Sequence, residues 1–178
     1  MFDLRKLALC ICLTALIAPA ASAAEFGFFG ADVRGGVVVP NDWDTGFLVG
    51  ASVNIGEIVD GLYLFPAINY SQAEDDVDLI FGDFTFEVTS LSIGAEVRYF
   101  LNGDPTGWYF GGGPYLHFLE RDVVIGRSRV GTVDGEEVGL MGVAGYQLGS
   151  TGTGPLLEAR YSVVTGYDTV QVLAGYSF

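Results

Sequence analysis

The sequence predicts an all-β chain, an eight-stranded antiparallel up-and-down transmembrane β-barrel preceded by a cleavable signal peptide. Three observations carry that expectation. Residues 1–23 have the layout of a secretory leader. The remainder divides into eight alternating segments of about ten residues separated by turn clusters. The last segment stops the chain on an aromatic residue, Phe178.

In the leader, Arg5 and Lys6 form a positive start, Leu7 to Ile17 an apolar stretch, and Ala21, Ser22 and Ala23 a small-residue cleavage site. The expected domains are therefore a signal peptide over 1–23 and one barrel over 24–178. The apolar stretch is cut short by Pro19, and no later stretch reaches the roughly 20 apolar residues of a membrane helix. Both cysteines, Cys10 and Cys12, lie in the leader, so the mature chain is expected to hold no disulfide, thiolate ligand or cysteine nucleophile. The only lysine, Lys6, also lies there, which excludes a P-loop or Schiff-base lysine. Removing the leader leaves six basic and 21 acidic residues, a net charge of −15 that argues against nucleic acid or anionic lipid as an electrostatic partner. Gly at 26 residues with nine Tyr and 13 Phe favours a turn-rich β chain over a helical one.

The expected strands are Phe28 to Val38, Gly46 to Ile55, Gly61 to Ser71, Phe84 to Leu101, Gly107 to Glu120, Glu137 to Leu148, Pro155 to Val164 and Asp168 to Phe178. In the second, Phe47, Val49, Ala51, Val53 and Ile55 oppose Leu48, Gly50, Ser52 and Asn54. In the fourth, Leu91, Ile93, Ala95, Val97 and Tyr99 oppose Ser90, Ser92, Gly94, Glu96 and Arg98. In the eighth, Val170, Val172, Ala174, Tyr176 and Phe178 oppose Thr169, Gln171, Leu173, Gly175 and Ser177. This is the period-2 pattern of strands with two unlike environments. The apolar face switches near Val88 to Leu91, where a bulge or emergence above the membrane is the expected cause. The fifth strand is aromatic on both faces, which leaves its orientation open.

Gly56 to Asp60, Asn102 to Thr106 and Gly149 to Gly154 read as short turns facing the periplasm. Gln72 to Asp83 and Arg121 to Glu136 read as long charged outer loops, with Pro40 to Thr45 and Thr165 to Tyr167 as short ones. Alternation alone does not separate a membrane barrel from a soluble sandwich. The leader, the terminal Phe, the strand lengths and the aromatic residues at the turn ends (Tyr99, Phe100, Trp108, Tyr109, Tyr176 and Phe178) decide for the membrane.

With the ending Leu173, Ala174, Gly175, Tyr176, Ser177, Phe178, the chain resembles the small eight-stranded bacterial outer-membrane barrels of the OmpA/OmpX type. The resemblance implies residence in the bacterial outer membrane and contact with its lipid and lipopolysaccharide. It also makes Tyr176 and Phe178 part of the signal read by the barrel assembly machinery. No peptidoglycan-binding domain follows the barrel in this sequence, so no wall-anchoring role is implied. Such barrels include adhesins, structural proteins, narrow channels and lipid A-modifying enzymes, and fold alone does not choose among them.

Three groups of polar residues are candidates for a site. Asp32 with Arg34, Glu96 with Arg98, and Glu158 with Arg160 fall on the polar faces of three strands and would form ion pairs in the lumen, where an isolated charge is costly. Glu74, Asp75, Asp76, Asp78 and Asp83 form an acidic cluster to which divalent cations would be the candidate partner, although Leu79 stands where an EF-hand loop has Gly. Arg121, Arg127 and Arg129 lie in the next outer loop, positioned for that cluster or for lipid phosphate. No metal site and no cofactor is expected. His117 is the only histidine and reads as a packed residue, with Ser128 the serine of the following loop. Gly111, Gly112 and Gly113 read as close strand packing rather than a phosphate loop. Asn69, Tyr70 and Ser71 match a glycosylation triplet inside a proposed strand, which discounts it. The expected role is non-enzymatic, in envelope structure or surface interaction through the long outer loops. A narrow channel for ions or small solutes is the alternative, and a lipid A-modifying enzyme using His117 the third.

Overall fold

The computed structural model describes residues 25–178 except 42–43, 80–81, 126–127, 150–151 and 165–166, together with all described side chains other than those of 25–26, 76–84 and 124–130. The expected leader lies outside the described residues. Eight strands follow: β1 Glu25–Pro40, β2 Gly46–Val59, β3 Leu62–Leu79, β4 Gly82–Phe100, β5 Gly107–Ile125, β6 Ser128–Gln147, β7 Gly154–Val163 and β8 Thr169–Ser177. Each pairs antiparallel with the next and β8 pairs back onto β1, so the sheet closes as an up-and-down barrel. Closure leaves no free edge within the ring.

Short turns make this order possible. Between β2 and β3 the turn is Asp60 and Gly61, with Val59 paired to Leu62 on either side. Gly61 adopts φ 75°, and a Cβ there would lie 3.0 Å from the Phe100 carbonyl oxygen. Only glycine meets both demands, which is why an Asp-Gly pair turns this hairpin.

Period 2 then sorts the side chains. Val170, Val172, Ala174, Tyr176 and Phe178 face outward while Thr169, Gln171, Leu173 and Ser177 face the lumen. β2 and β4 divide in the same sense as the sequence pattern. The outward face is an apolar band, with Val49, Ile93, Leu157 and Val172 each about half exposed. In β5, Tyr109, Tyr115, His117 and Leu119 point inward and Trp108, Phe110, Leu116 and Phe118 outward, which settles the orientation left open by its aromatic residues.

Three expectations need correction. Gln72 to Asp83 and Arg121 to Glu136 are not loops: β3 and β4 stay paired to Leu79 and Gly82, and β5 and β6 to Ile125 and Ser128. β3 has lost its β2 partner beyond Gln72, and β6 has no β7 partner before Leu140. The four strands therefore continue past the ring as a raised sheet. Their charges suit a loop and a strand alike, because a charged strand face costs little once both sides of the sheet meet water. Second, of the two causes expected for the switch near Val88 to Leu91, the bulge is absent: β4 pairs without a register shift on either side, and Val88 faces inward, against Leu119, Val164 and Tyr167, where the strand leaves the ring for the raised sheet. Third, Phe100 and Tyr109 are not part of an outward aromatic girdle. They point inward and pack with Phe65 and Val143 at the turn end of the lumen, while Tyr99, Trp108, Tyr176 and Phe178 remain outside.

The glycines of β5 mark where strands approach most closely. A Cβ on Gly113 would come within 1.8 Å of the Ala95 carbonyl oxygen, and one on Gly111 within 2.0 Å of that of Val97. Gly113→Ala is expected to destabilise the barrel by about 1–3 kcal/mol, the usual cost of forcing atoms into a filled interior. A urea unfolding midpoint unchanged from the parent would contradict this.

Candidate functional site

The lumen is filled by charge. Asp32 and Arg34 on β1, Glu96 and Arg98 on β4, and Glu158 and Arg160 on β7 all point inward, each acid two residues before its base and so on the same strand face. The three strands are separated around the ring, and the side chains meet across it. Arg98 Nη1 reaches Asp32 Oδ2 at 2.7 Å and its Nε donates to Glu96 Oε2 at 2.9 Å. Arg160 binds Glu96 Oε1 through Nη1 and Glu158 Oε2 through Nε, both at 2.7 Å. Arg34 lies 3.7 Å from Glu96 and 3.6 Å from Glu158. Three carboxylates balance three guanidinium groups, so a fully buried cluster carries no net charge. Arginine suits this task because its planar fork serves two carboxylates at once.

Neutral groups take up the remaining hydrogen-bonding capacity. Tyr109 donates to Glu158 Oε1 at 2.6 Å, and Tyr115 donates to Glu96. Arg34 donates to Ser52 Oγ and Asn69 Oδ1 at 2.9 and 3.1 Å, and Ser52 donates to Asp32 at 3.0 Å. Ser177 donates to Asp32 Oδ1 at 2.5 Å, next to Gln147. The Arg98 guanidinium sits 4.1 Å above the Phe65 ring, a cation–π contact at the turn end. Sequence reasoning does not join Tyr109, Tyr115, Ser52, Asn69, Ser177 and Gln147 to the ion pairs, although the strand period puts Ser52 and Ser177 opposite the apolar faces of β2 and β8, and Tyr109 and Tyr115 share a strand face with Gly111 and Gly113, which leave room beside Arg98 and Glu96.

The other candidates are not gathered into a site. Glu74 and Asp75 lie on the raised part of β3, Glu74 opposite Glu87 and Asp75 opposite Phe86. The side chains of Asp76, Asp78 and Asp83 fall outside the described residues. Arg121 stands on β5 opposite Val133, whereas Arg127 and the Arg129 side chain are outside the described set. Among the described residues no three His, Cys, Asp or Glu side chains are grouped to hold a metal ion.

His117 is 5% exposed and faces the lumen with Nδ1 3.5 Å from Ser90 Oγ. Among the described residues its Nε2 has no hydrogen-bond partner, so no described carboxylate orients it as a general base would require. Ser128 pairs with Ile125 at the far tip of the hairpin. Asn69 is buried in the lumen, which removes it as a glycosylation acceptor in the folded chain. Tyr167, in the β7–β8 connection, is buried enough that its phenol is pushed up to about 12.

This architecture is that of the small eight-stranded outer-membrane barrels. Ail, the attachment invasion locus protein of Yersinia pestis, solved in complex with the heparin analogue sucrose octasulfate, matches with a TM-score of 0.58 at 10% identity, covering 84% of this chain and 99% of that one. The N-terminal β-barrel domain of Pseudomonas aeruginosa OprF matches with a TM-score of 0.54 at 13% identity over 85% and 99%. Neisserial surface protein A matches with a TM-score of 0.52 at 16% identity over 87% and 97%. No family model and no curated protein sequence matches the chain. At such identities the likeness is one of fold.

Proposed function

We propose that the chain is an exported, non-enzymatic protein of the bacterial outer membrane whose sealed barrel holds up a charged sheet for envelope or surface interaction. The observation that carries this reading is the raised sheet of β3 to β6 standing on a lumen closed by its own ion pairs. The apolar outward band supports lipid as the surround, because backbone closure and an apolar exterior are what hydrocarbon demands. Residues 1–23 serve as the export leader, and the strand ending in Tyr176 and Phe178 serves the assembly machinery. Fractionation tests the location. The protein is expected with the outer membrane and with a gel mobility that changes on boiling; recovery as a soluble periplasmic monomer would overturn the reading.

The raised segments 72–89 and 119–138 carry eleven carboxylates against three arginines. A partner drawn by charge is therefore cationic: basic protein segments, or divalent cations shared with lipopolysaccharide. The sulfated ligand of the Ail complex has the opposite sign. A channel role is disfavoured by the filled lumen, and reconstituted protein is expected to give no reproducible single-channel steps in planar bilayers. Regular steps that vanish on breaking the barrel would establish conduction instead.

A further inference from the structure

The two faces of the raised sheet differ, and the difference follows the strand period. Its outward face continues the lipid-facing side of the barrel, and cross-strand pairing sets that face in rows. One row runs Tyr70, Leu91, Phe118 and Glu136, and the next away from the barrel runs Gln72, Thr89, Glu120 and Asp134. The row beyond it is Glu74, Glu87, Asp122 and Thr132. Successive rows lie two residues apart along a strand, about 7 Å. Over that short distance the face passes from an apolar row to an acidic one. Leu91 and Phe118, 38% and 37% exposed, are the last members of the apolar band. Arg121 belongs to the other face, opposite Val88 and Val133.

The acidic rows are held at a cost. Glu74 stands directly opposite Glu87, Glu87 opposite Asp122, and Glu120 opposite Asp134. Like charges in cross-strand pairs destabilise a sheet, and their repulsion grows near a hydrocarbon layer of low dielectric. Gln72 Nε2 donates to Glu87 and Thr132 Oγ1 to Asp122, both at 2.6 Å, but neither donor carries charge. At the step between the rows a cleft of 440 Å³ opens, with Leu91 and Phe118 as its apolar wall and Thr89, Glu120, Asp134 and Glu136 as its polar one. A small cation would use only the carboxylates. The apolar wall asks for a ligand that also has apolar surface, and the charge asks for a positive one.

We infer that this cleft and the acidic rows beside it bind a basic amphipathic peptide lying along the membrane surface. Its apolar side chains rest on Leu91 and Phe118, and its Lys or Arg side chains meet Glu120, Asp134 and Glu136. The inference rests on the membrane placement proposed above and narrows a general attraction for cationic partners to one face and one form of partner. A helix with one apolar and one basic face lies at this depth of a bilayer, and the long stems of Lys and Arg carry their charge from an apolar floor to a polar rim. The inner face of the same sheet mixes Asp75 and Glu137 with Arg121 and has no such step.

The folded protein in nanodiscs of phosphatidylcholine, which has no net charge, is titrated into a fluorescently labelled helical peptide made only of Leu and Lys, with empty nanodiscs as background. Anisotropy should show saturable binding above that background. Glu120→Gln with Asp134→Asn should weaken it about tenfold, whereas Asp75→Asn with Glu137→Gln, an equal loss of charge on the inner face, should change it less than about twofold. Phe118→Ala, which removes no charge, should weaken it about fivefold through lost apolar contact. A scrambled isomer of the peptide, with the same charge but no apolar face, should bind about tenfold more weakly than the amphipathic one. Heat-modifiable mobility checks that each variant is folded, and Asp134→Asn alone replaces the first pair should that pair fail to fold. Recovery as a soluble periplasmic protein would remove the membrane placement itself; outer-membrane protein that binds no peptide above empty nanodiscs would overturn this inference alone. Equal weakening by the two charge pairs, or equal binding of the scrambled isomer, would also overturn it. Competition by spermine as strong as that by unlabelled peptide would assign the carboxylates to small cations and overturn it too.

Discussion

Glu96→Gln is expected to lower barrel stability by about 3–5 kcal/mol, the usual loss when one member of a buried ion pair is removed. Glu96 is fully buried and accepts from Arg98, Arg160 and Tyr115, with Arg34 3.7 Å away. Glutamine keeps the shape and removes the charge, so three guanidinium groups would share two carboxylates, those of Asp32 and Glu158. Its amide NH2 would also confront donors where the carboxylate offered acceptors. Asp75→Asn supplies the control. Asp75 stands on the raised part of β3, where its change is expected to stay within about 0.5 kcal/mol, as for surface substitutions. Urea unfolding monitored by gel mobility measures both, and coincident midpoints would show that the network does not hold the barrel. Glu158→Gln should fall on the Glu96 side of this comparison, since it leaves Arg160 and Tyr109 short of an acceptor.

Deleting Phe178 is expected to block assembly of most of the protein while leaving export intact. Its backbone N donates to Ala31 O at 2.9 Å and its carbonyl accepts from Ala31 N at 3.4 Å, extending the β1–β8 seam past Ser177. Its ring is 63% exposed and packs 5.1 Å from that of Tyr176, which suits an aromatic anchor at the lipid boundary. Truncation would also move the chain's terminal carboxylate onto Ser177, whose hydroxyl already binds Asp32 in the lumen. A second negative charge would then stand beside Asp32. Phe178→Ala keeps the backbone and should show a milder defect. Unchanged outer-membrane yield and unchanged heat-modifiable mobility of the truncated chain would refute this role for the closing residue.

Much of this molecule is legible because a strand writes its environment locally. Side chains alternate between faces, so Val170, Val172 and Ala174 and their lumen-facing neighbours can be assigned from nine residues without reference to any other strand. The same period marks Asp32 with Arg34, Glu96 with Arg98, and Glu158 with Arg160 as charges on one face of each strand. Turn residues such as those of Gly56 to Asp60 point to the strand order, because a short hairpin makes the two strands it joins neighbours, although β2 runs on to Val59 and the turn itself is confined to Asp60 and Gly61.

Failures of the reading are equally specific. The raised sheet reads as loops because its segments are long and charged, whereas β3 to β6 stay paired there, with Phe86 opposite Val123. Phe100 and Tyr109 read equally as lipid-facing from the sequence, because an aromatic ring suits either a lipid boundary or a packed lumen. Strand count, turns and the sidedness of most strands were determined by the sequence itself, since each depends on residues within a few positions of one another. Only the tertiary structure decided that Arg98 meets Asp32, that Arg160 meets Glu96, and that Val88, Leu119, Val164 and Tyr167 pack together. Those contacts depend on the stagger accumulated strand by strand as the sheet closes, a property of the whole ring that no single segment carries.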